Sequence, residues 1–275
     1  MTEHALKKKV KVLVVTGYGL NCERETSRAF QEAGATVKLQ HLNDILADDK
    51  SLAPYHILAF IGGFSFGDHI SAGTVFANRL KCRMQDQLAD FIRAGKLVIG
   101  ICNGFQTLTR LGLVPAGKEA LFQQEVALAE NTQGVFRDDW VTVKVNPESP
   151  CVFTRGIDYL DLPVRHGEGR FIARDEEVYR RLEDDHLLTL QYAHPETGAP
   201  TMDFPYNPNG SENSIAGICD RSGRLFGLMP HPEAFLSAYN HPHWQDLKRR
   251  GQFSEKGGGQ AIFDNAVEYA VEELL

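Results

Sequence analysis

The chain has 275 residues, a formal net charge of −7 and 43% hydrophobic residues. That length suits one large domain or two small ones with an adequate core, and the acidic balance argues against nucleic acid or an anionic membrane as the main partner. No run approaches the ~18 apolar residues of a membrane span. The five cysteines, at 22, 82, 102, 151 and 219, have no C-x-x-C spacing, so neither a zinc pattern nor a disulfide framework is expected and a reducing cytoplasm is the natural setting.

Residues 1–9 carry lysines but run directly into a strand, without the apolar core or cleavage site of a signal peptide. Residues 10–15 form a continuous apolar run, the pattern of a strand covered on both faces. A glycine-broken loop, Thr16-Gly-Tyr-Gly-Leu-Asn21, follows. Asn21 is placed to cap a helix through Glu32, with Glu23 and Glu25 in its first turn. Ala33-Gly34 ends that helix, and residues 36–41 form a second strand. Alternation of strand and helix at this short period predicts an α/β fold with a doubly wound, mostly parallel sheet. Cys22 is a rival nucleophile at the helix start, disfavoured because no glycine follows it.

Residues 57–61 are a third strand, ending at Gly62-Gly63-Phe64-Ser65-Phe66-Gly67-Asp68. Ligands bind at such strand ends in open α/β sheets. A glycine pair there either brings backbone N–H groups close to an oxyanion or is a plain flexible loop. It is not a phosphate loop, because the G-K-[ST] ending is absent. Residues 77–94 form a helix with Leu80, Met84, Leu88 and Phe91 on one face.

The stretch at residues 96–106, KLVIGICNGFQ, carries the chemistry. Residues 97–101 read as a buried strand, and Phe105, Leu108 and Leu111 with Gly112 read as a helix and its stop. Cys102 sits at the corner between Gly100 and Gly104. This G-x-C-x-G is the cysteine form of the nucleophile elbow, with glycines where a side chain would strike the neighbouring strand or helix. A helix N-terminus favours thiolate, and the N–H of Asn103 is placed to stabilise an oxyanion. Taken alone, the motif also fits a small buried cysteine.

Beyond residue 114 the pattern is less helical. Residues 120–128, 134–145 and 151–153 look like short strands of a mixed extension to the sheet. In residues 164–171, VRHGEGRF, His166 and Glu168 are either acid–base groups or part of an exposed polar turn. Residues 205–212 read as a surface loop. Residues 214–219 and 224–229 pair as a hairpin that ends in Pro230-His231-Pro232-Glu233. Residues 236–259 are a polar surface excursion. Residues 261–274 are a closing helix with Ile262, Ala266, Tyr269 and Ala270 inward. No internal repeat or linker is present, so residues 1–275 are expected to form one domain. A thiolate needs a base and a group to orient that base. Of ten histidines, His231 is best placed, between stiffening prolines and two residues before Glu233.

C-N-G-F-Q with P-H-P-E resembles the class I (triad) glutamine amidotransferases, whose domains are flavodoxin-like. Within that class, N-C-E-R-E-T, G-G-F-S-F-G-D and H-G-E-G-R-F resemble the glutaminase subunits of phosphoribosylformylglycinamidine synthases, from about Lys11 to Tyr269. The resemblance implies Cys102 as nucleophile, His231 as base and Glu233 as its orienter. Gly63 or Phe64 would supply an oxyanion N–H together with Asn103, and Gln106 would contact the α-amino and carboxylate end of L-glutamine. His166 and Glu168 would lie near the mouth of the site. The sequence has no Walker motif and no acidic metal cluster, so no cofactor or metal is expected on this chain and ATP and Mg are expected on a separate synthetase subunit. The resemblance implies that this synthetase is a larger partner and that a small accessory subunit joins the complex. The first loop lacks the proline common in the family, and residues 236–259 are longer than in its simplest members. The alternatives are another class I amidotransferase, a different cysteine hydrolase, or a non-catalytic scaffold of the same fold.

Overall fold

Four apolar runs that read as buried strands lie side by side at the centre of the molecule. The computed structural model describes residues 2–48, 50–116, 121–251 and 254–275. Its first strands are β1 (Lys11–Thr16), β2 (Thr36–His41), β3 (Ile57–Phe60) and β4 (Leu97–Ile101). The middle of the chain supplies β5 (Val126–Glu130), β6 (Arg137–Val145), β7 (Tyr159–His166), β8 (Glu168–Ala173) and β9 (Leu188–Ala193). β10 (Ile215–Cys219) and β11 (Leu225–Leu228) complete the set. Nine of these form one sheet in the order β2-β1-β3-β4-β11-β10-β9-β6-β7, and β5 pairs with β8 in a separate ribbon.

From β2 to β11 the neighbours run parallel, and β10, β9, β6 and β7 continue the sheet antiparallel. Helices cover the parallel half because every residue of β3, β4 and β11 is buried and needs apolar cover on both faces. Besides the short Leu42–Leu46, three longer helices follow strands here: Glu23–Glu32, Thr74–Arg93 and Asn103–Leu111. The second buries Phe76, Leu80, Met84, Leu88 and Phe91 as its periodicity requires, and starts three residues before the predicted Ala77. Gly112 ends the third in a left-handed conformation. The closing helix, Gln260–Glu273, buries Phe263 and Val267 beside Ile262, Ala266 and Ala270, while Tyr269 is only half-buried.

Several expectations are corrected. Cys22, not Asn21, occupies the first helix cap, without a side-chain cap bond. Residues 151–153 are no strand: Val152–Thr154 is a single 3₁₀ turn whose Phe153 is fully buried. Residue 120 lies outside the described residues, and the strand expected over 120–128 is β5, beginning at Val126. Residues 205–212 are only partly a surface loop: Pro205 and Glu212 are exposed, but the middle of the segment is buried. Asn207, Asn209 and Ser211 are at most 1% exposed, because their side chains satisfy backbone groups packed beneath them. The polar run 164–171 is two strands meeting at Gly167 and belonging to different sheets. A short helix, Glu3–Lys7, and a helix at Glu176–Asp184 lack the sequence signal to foretell them. The latter buries only Val178 and Leu182 among its charges.

Candidate active site

Parallel strands deliver their following loops to one edge of a sheet, where open α/β sheets bind ligands. Here that edge gathers the segments after β1, β3, β4 and β11. Cys102 follows β4 with φ 52° and ψ −107°, a strained conformation for a residue with a side chain. The two flanking glycines make that corner possible. A Cβ on Gly100 would lie 2.6 Å from Leu108 Cδ1, and one on Gly104 would overlap the carbonyl of Phe60 in β3. The backbone N–H of Cys102 donates to Leu228 C=O at 2.8 Å, stitching the corner to β11. Its thiol points at the carbonyl of Arg165, 3.6 Å away at the end of β7.

β11 runs into the histidine segment. The backbone N–H of His231 donates to Pro163 C=O at 2.8 Å, fixing the loop against β7. The ring Nδ1 lies 2.6 Å from Glu233 Oε1, and both side chains are almost wholly buried. His231 Nε2 and Glu233 Oε2 are buried without a hydrogen-bond partner. Burial opposes a charged imidazole, but the Glu233 carboxylate and the Cys102 and Cys22 thiols outweigh it, holding the ring's pKa well above the usual histidine value. The arrangement therefore brings thiol, imidazole and carboxylate together, with one ring nitrogen oriented by a carboxylate and the other available for proton transfer.

Asn103 follows Cys102 directly, and Gly63 lies in the loop after β3, which opens on the same sheet edge. The N–H of Asn103 is at the helix N-terminus, where no intrahelical acceptor exists. Gly63 has φ +136°, and a Cβ there would lie 2.6 Å from Leu20 Cα, so only glycine fits. Phe64 is corrected as an oxyanion donor: its N–H is already bonded to Gly19 C=O at 2.9 Å, and its side chain is exposed.

Gln106 is buried with both ends of its amide engaged. Nε2 donates to Glu168 C=O at 2.6 Å, and Oε1 accepts from Asn103 Nδ2 at 2.9 Å. The same Asn103 amide donates to Asp68 Oδ1 at 3.0 Å. Glu168 accepts from the Ala72 N–H and the Ser71 hydroxyl, each at 3.1 Å, and so ties the loop after β3 to β8. Burial and the facing Glu168 carboxylate raise the Asp68 pKa to about 6.

His166 is corrected as a residue of the site mouth. It is 2% exposed, with Nδ1 3.1 Å from Asn131 Oδ1 and Nε2 3.5 Å from Asn209 Nδ2. Asn131 Nδ2 donates to the His166 and Val135 carbonyls, so its oxygen must face the ring, and the neutral Nδ1–H tautomer is the one that fits. Burial, with the charge of His231, drives its pKa down to about 3. It is an uncharged strut below the site, and Gly169 is glycine because a Cβ there would run into its ring.

Cys22 is placed closer to the site than the sequence suggested. Its sulfur lies 4.0 Å from His231 Nδ1. Burial raises its thiol pKa, the Glu233 carboxylate adds to that, and it occupies no elbow, so it makes a poor rival to Cys102 as nucleophile. Its sulfur, an imidazole nitrogen of His231 and a carboxylate oxygen of Glu233 all lie within 4.8 Å of one another, the only such donor set among the described residues. Among those residues no helix is long and apolar enough to cross a membrane.

Residues 9–270 match the family model of the CobB/CobQ-like glutamine amidotransferase domain. The chain is 45% identical over 267 residues to the phosphoribosylformylglycinamidine synthase subunit PurQ of Methanococcus maripaludis, covering 94% of this chain and 97% of that one. It is 42% identical over 264 residues to the PurQ subunit of Dehalococcoides mccartyi, covering 95% and 98%. Among solved structures, PurLQS of Thermotoga maritima superposes with a TM-score of 0.68 at 28% identity, covering 95% of this chain and 99% of that chain.

Proposed function

The chain belongs to the CobB/CobQ-like glutamine amidotransferase family, and on that premise we propose that it is the glutaminase subunit of a phosphoribosylformylglycinamidine synthase. It releases ammonia from glutamine for the amide-to-amidine step of purine biosynthesis. The observation that carries the chemistry is the buried His231–Glu233 pair, 2.6 Å apart, beside the strained corner that presents Cys102.

In this reading the Cys102 thiolate attacks the side-chain amide carbon of L-glutamine. The carbonyl oxygen takes up negative charge facing the N–H groups of Gly63 and Asn103, each worth about 3 kcal/mol of barrier. His231 gives a proton to the departing nitrogen, and ammonia leaves. Water, deprotonated by His231, then hydrolyses the γ-glutamyl thioester to glutamate, restoring the thiol. Glu233 accepts from Nδ1–H throughout and stabilises the imidazolium. Gln106 and Glu168 hold the loop after β3 over the helix start, which supports a role in shaping the pocket for the amino-acid end of glutamine. For Gln106 to touch substrate directly, one of its present bonds must be exchanged.

The ammonia acceptor is activated elsewhere. We assign ATP and Mg to a larger synthetase subunit, with a small accessory subunit in the same complex; this chain needs no cofactor of its own. Phe64, next to Gly63 in the loop after β3, is exposed together with Ile70, Val135 and Phe136, and the rings of Phe64 and Phe136 are 6.1 Å apart. Exposed apolar side chains of this kind suit cover by a partner that receives the ammonia.

The test is Cys102→Ala in the assembled complex. Product formation with ammonium salts should persist while formation with glutamine is lost. Glutamine-dependent turnover that survives the substitution would refute the assignment.

A further inference from the structure

The N-C-E motif at the end of the first βα loop takes no part in the reaction above, yet it sets a second sulfur against the base. We propose that Cys22, His231 and Glu233 form a binding site for a zinc-class divalent cation, and that occupancy of this site switches off the base. The binding rests on geometry alone; the switching rests on the glutaminase reading of the previous subsection.

Three donors of different type converge: a thiol sulfur, a ring nitrogen and a carboxylate oxygen, within 4.8 Å of one another. Sulfur with imidazole and carboxylate selects a zinc-class ion over magnesium or calcium, which prefer oxygen throughout. Two of the three donor separations are already near those of a bound ion, and the third, sulfur to carboxylate oxygen, is within 4.8 Å. At zinc bond lengths a tetrahedral site sets sulfur and nitrogen about 3.6 Å apart and nitrogen and oxygen about 3.4 Å apart. The present separations are 4.0 Å for Cys22 Sγ to His231 Nδ1 and 2.6 Å for Nδ1 to Glu233 Oε1. The sulfur must approach slightly, and the carboxylate must back away by less than an ångström.

One observation favours that movement: Glu233 Oε2 is buried without any hydrogen-bond partner, so no bond on the far side of the carboxylate opposes its rotation. Gly62 packs tightly against both donors, since a Cβ there would lie 2.6 Å from His231 Cε1 and 3.1 Å from Cys22 Sγ, and its missing side chain is what lets ring and sulfur come together. Half-buried Cys22 is the most solvent-accessible of the three ligands. On binding, the Cys22 thiol proton and the His231 Nδ1 proton both leave to solvent. The metal then holds Nδ1, and the remaining ring proton sits on Nε2. A ring in that state has no lone pair with which to accept a proton, so the thioester cannot be hydrolysed through it.

Cobalt(II), a spectroscopic stand-in for zinc, tests the binding without reference to activity. Wild-type full-length chain and the Cys102→Ala variant should both develop a near-ultraviolet thiolate-to-cobalt band on titration, and Cys22→Ala should not. In the assembled complex, half-inhibition of glutamine-dependent turnover of Cys22→Ala should need at least about tenfold more zinc than wild type. Thermal melts confirm that each variant is folded. If Cys22→Ala lacks turnover for other reasons, the cobalt titration still decides. A band that survives in Cys22→Ala but vanishes in Cys102→Ala would put the metal on the nucleophile and overturn the proposal, as would no band in the wild type. A cobalt result as expected with no glutamine-dependent turnover in any form would leave the metal site standing and sink the glutaminase reading instead.

Discussion

Replacing His166 with asparagine exposes how an ionisable ring is kept neutral beneath the site. In the folded chain His166 titrates at about 3 against 6.5 for the free side chain, because burial and the His231 charge both penalise its protonated form. A base with a depressed folded pKa contributes stability above its unfolded value, and that contribution is lost as pH falls towards the folded value. Between the two, unfolding takes up one proton, so stability falls by about 1.4 kcal/mol per pH unit and by about 5 kcal/mol across the whole window. Asparagine cannot titrate. The substitution should therefore cost stability at neutral pH, through a lost ring and a cavity, while the gap between wild type and variant narrows on acidification. Over about two pH units below 6.5 it should close by roughly 3 kcal/mol. Urea denaturation of both proteins at several pH values between about 7.5 and about 4.5 measures the gap directly. Parallel stability curves with a constant offset would show that His166 is not held neutral, and the argument from Asn131 and Asn209 would fall.

Glu233→Gln should lower glutamine-dependent turnover on the order of 10³- to 10⁴-fold, because the amide no longer fixes the working tautomer of His231. Synthesis from ammonium salts should be unchanged, and equal loss with both nitrogen donors would instead point to a damaged fold or interface. Gly104→Ala forces a methyl group into the Phe60 carbonyl and should cost about 3 kcal/mol or prevent folding; a urea midpoint indistinguishable from wild type would contradict the packing account. Asp68 has the opposite linkage to His166. As an acid whose folded pKa of about 6 lies above the unfolded 3.8, it costs the fold stability as pH rises through that window. Asp68→Asn should thus gain on wild type between about pH 4 and about pH 6, and a fixed difference across that range would refute a carboxyl raised by burial and by Glu168.

The parallel core was legible because strands buried on both faces leave uninterrupted apolar runs, as at Leu97–Ile101 and Ile57–Phe60. The corner at Cys102 was legible too, since its two glycines answer a local steric demand. What escaped the sequence is long-range. Nothing near His166 reveals that Asn131 and Asn209, from distant loops, enclose its ring. Residues 205–212 looked like a surface loop because their polarity serves buried backbone groups rather than water. That the Phe64 N–H is already taken depends on a backbone bond to Gly19, which no side-chain pattern encodes. Cys22 did carry a signal: its loop follows a parallel strand and so opens on the same sheet edge as Cys102. Only the strand order brings it beside His231.

β11 is wedged between β4 and β10, although more than a hundred residues of chain separate it from β4 in sequence. Loop-closure entropy makes that pairing a late and slow event compared with β1, β2 and β3, which zip up from close neighbours. On the proposed mechanism a nascent chain therefore presents its sulfur before its imidazole is in place, and ammonia release is expected only once the last strand has entered the middle of the sheet.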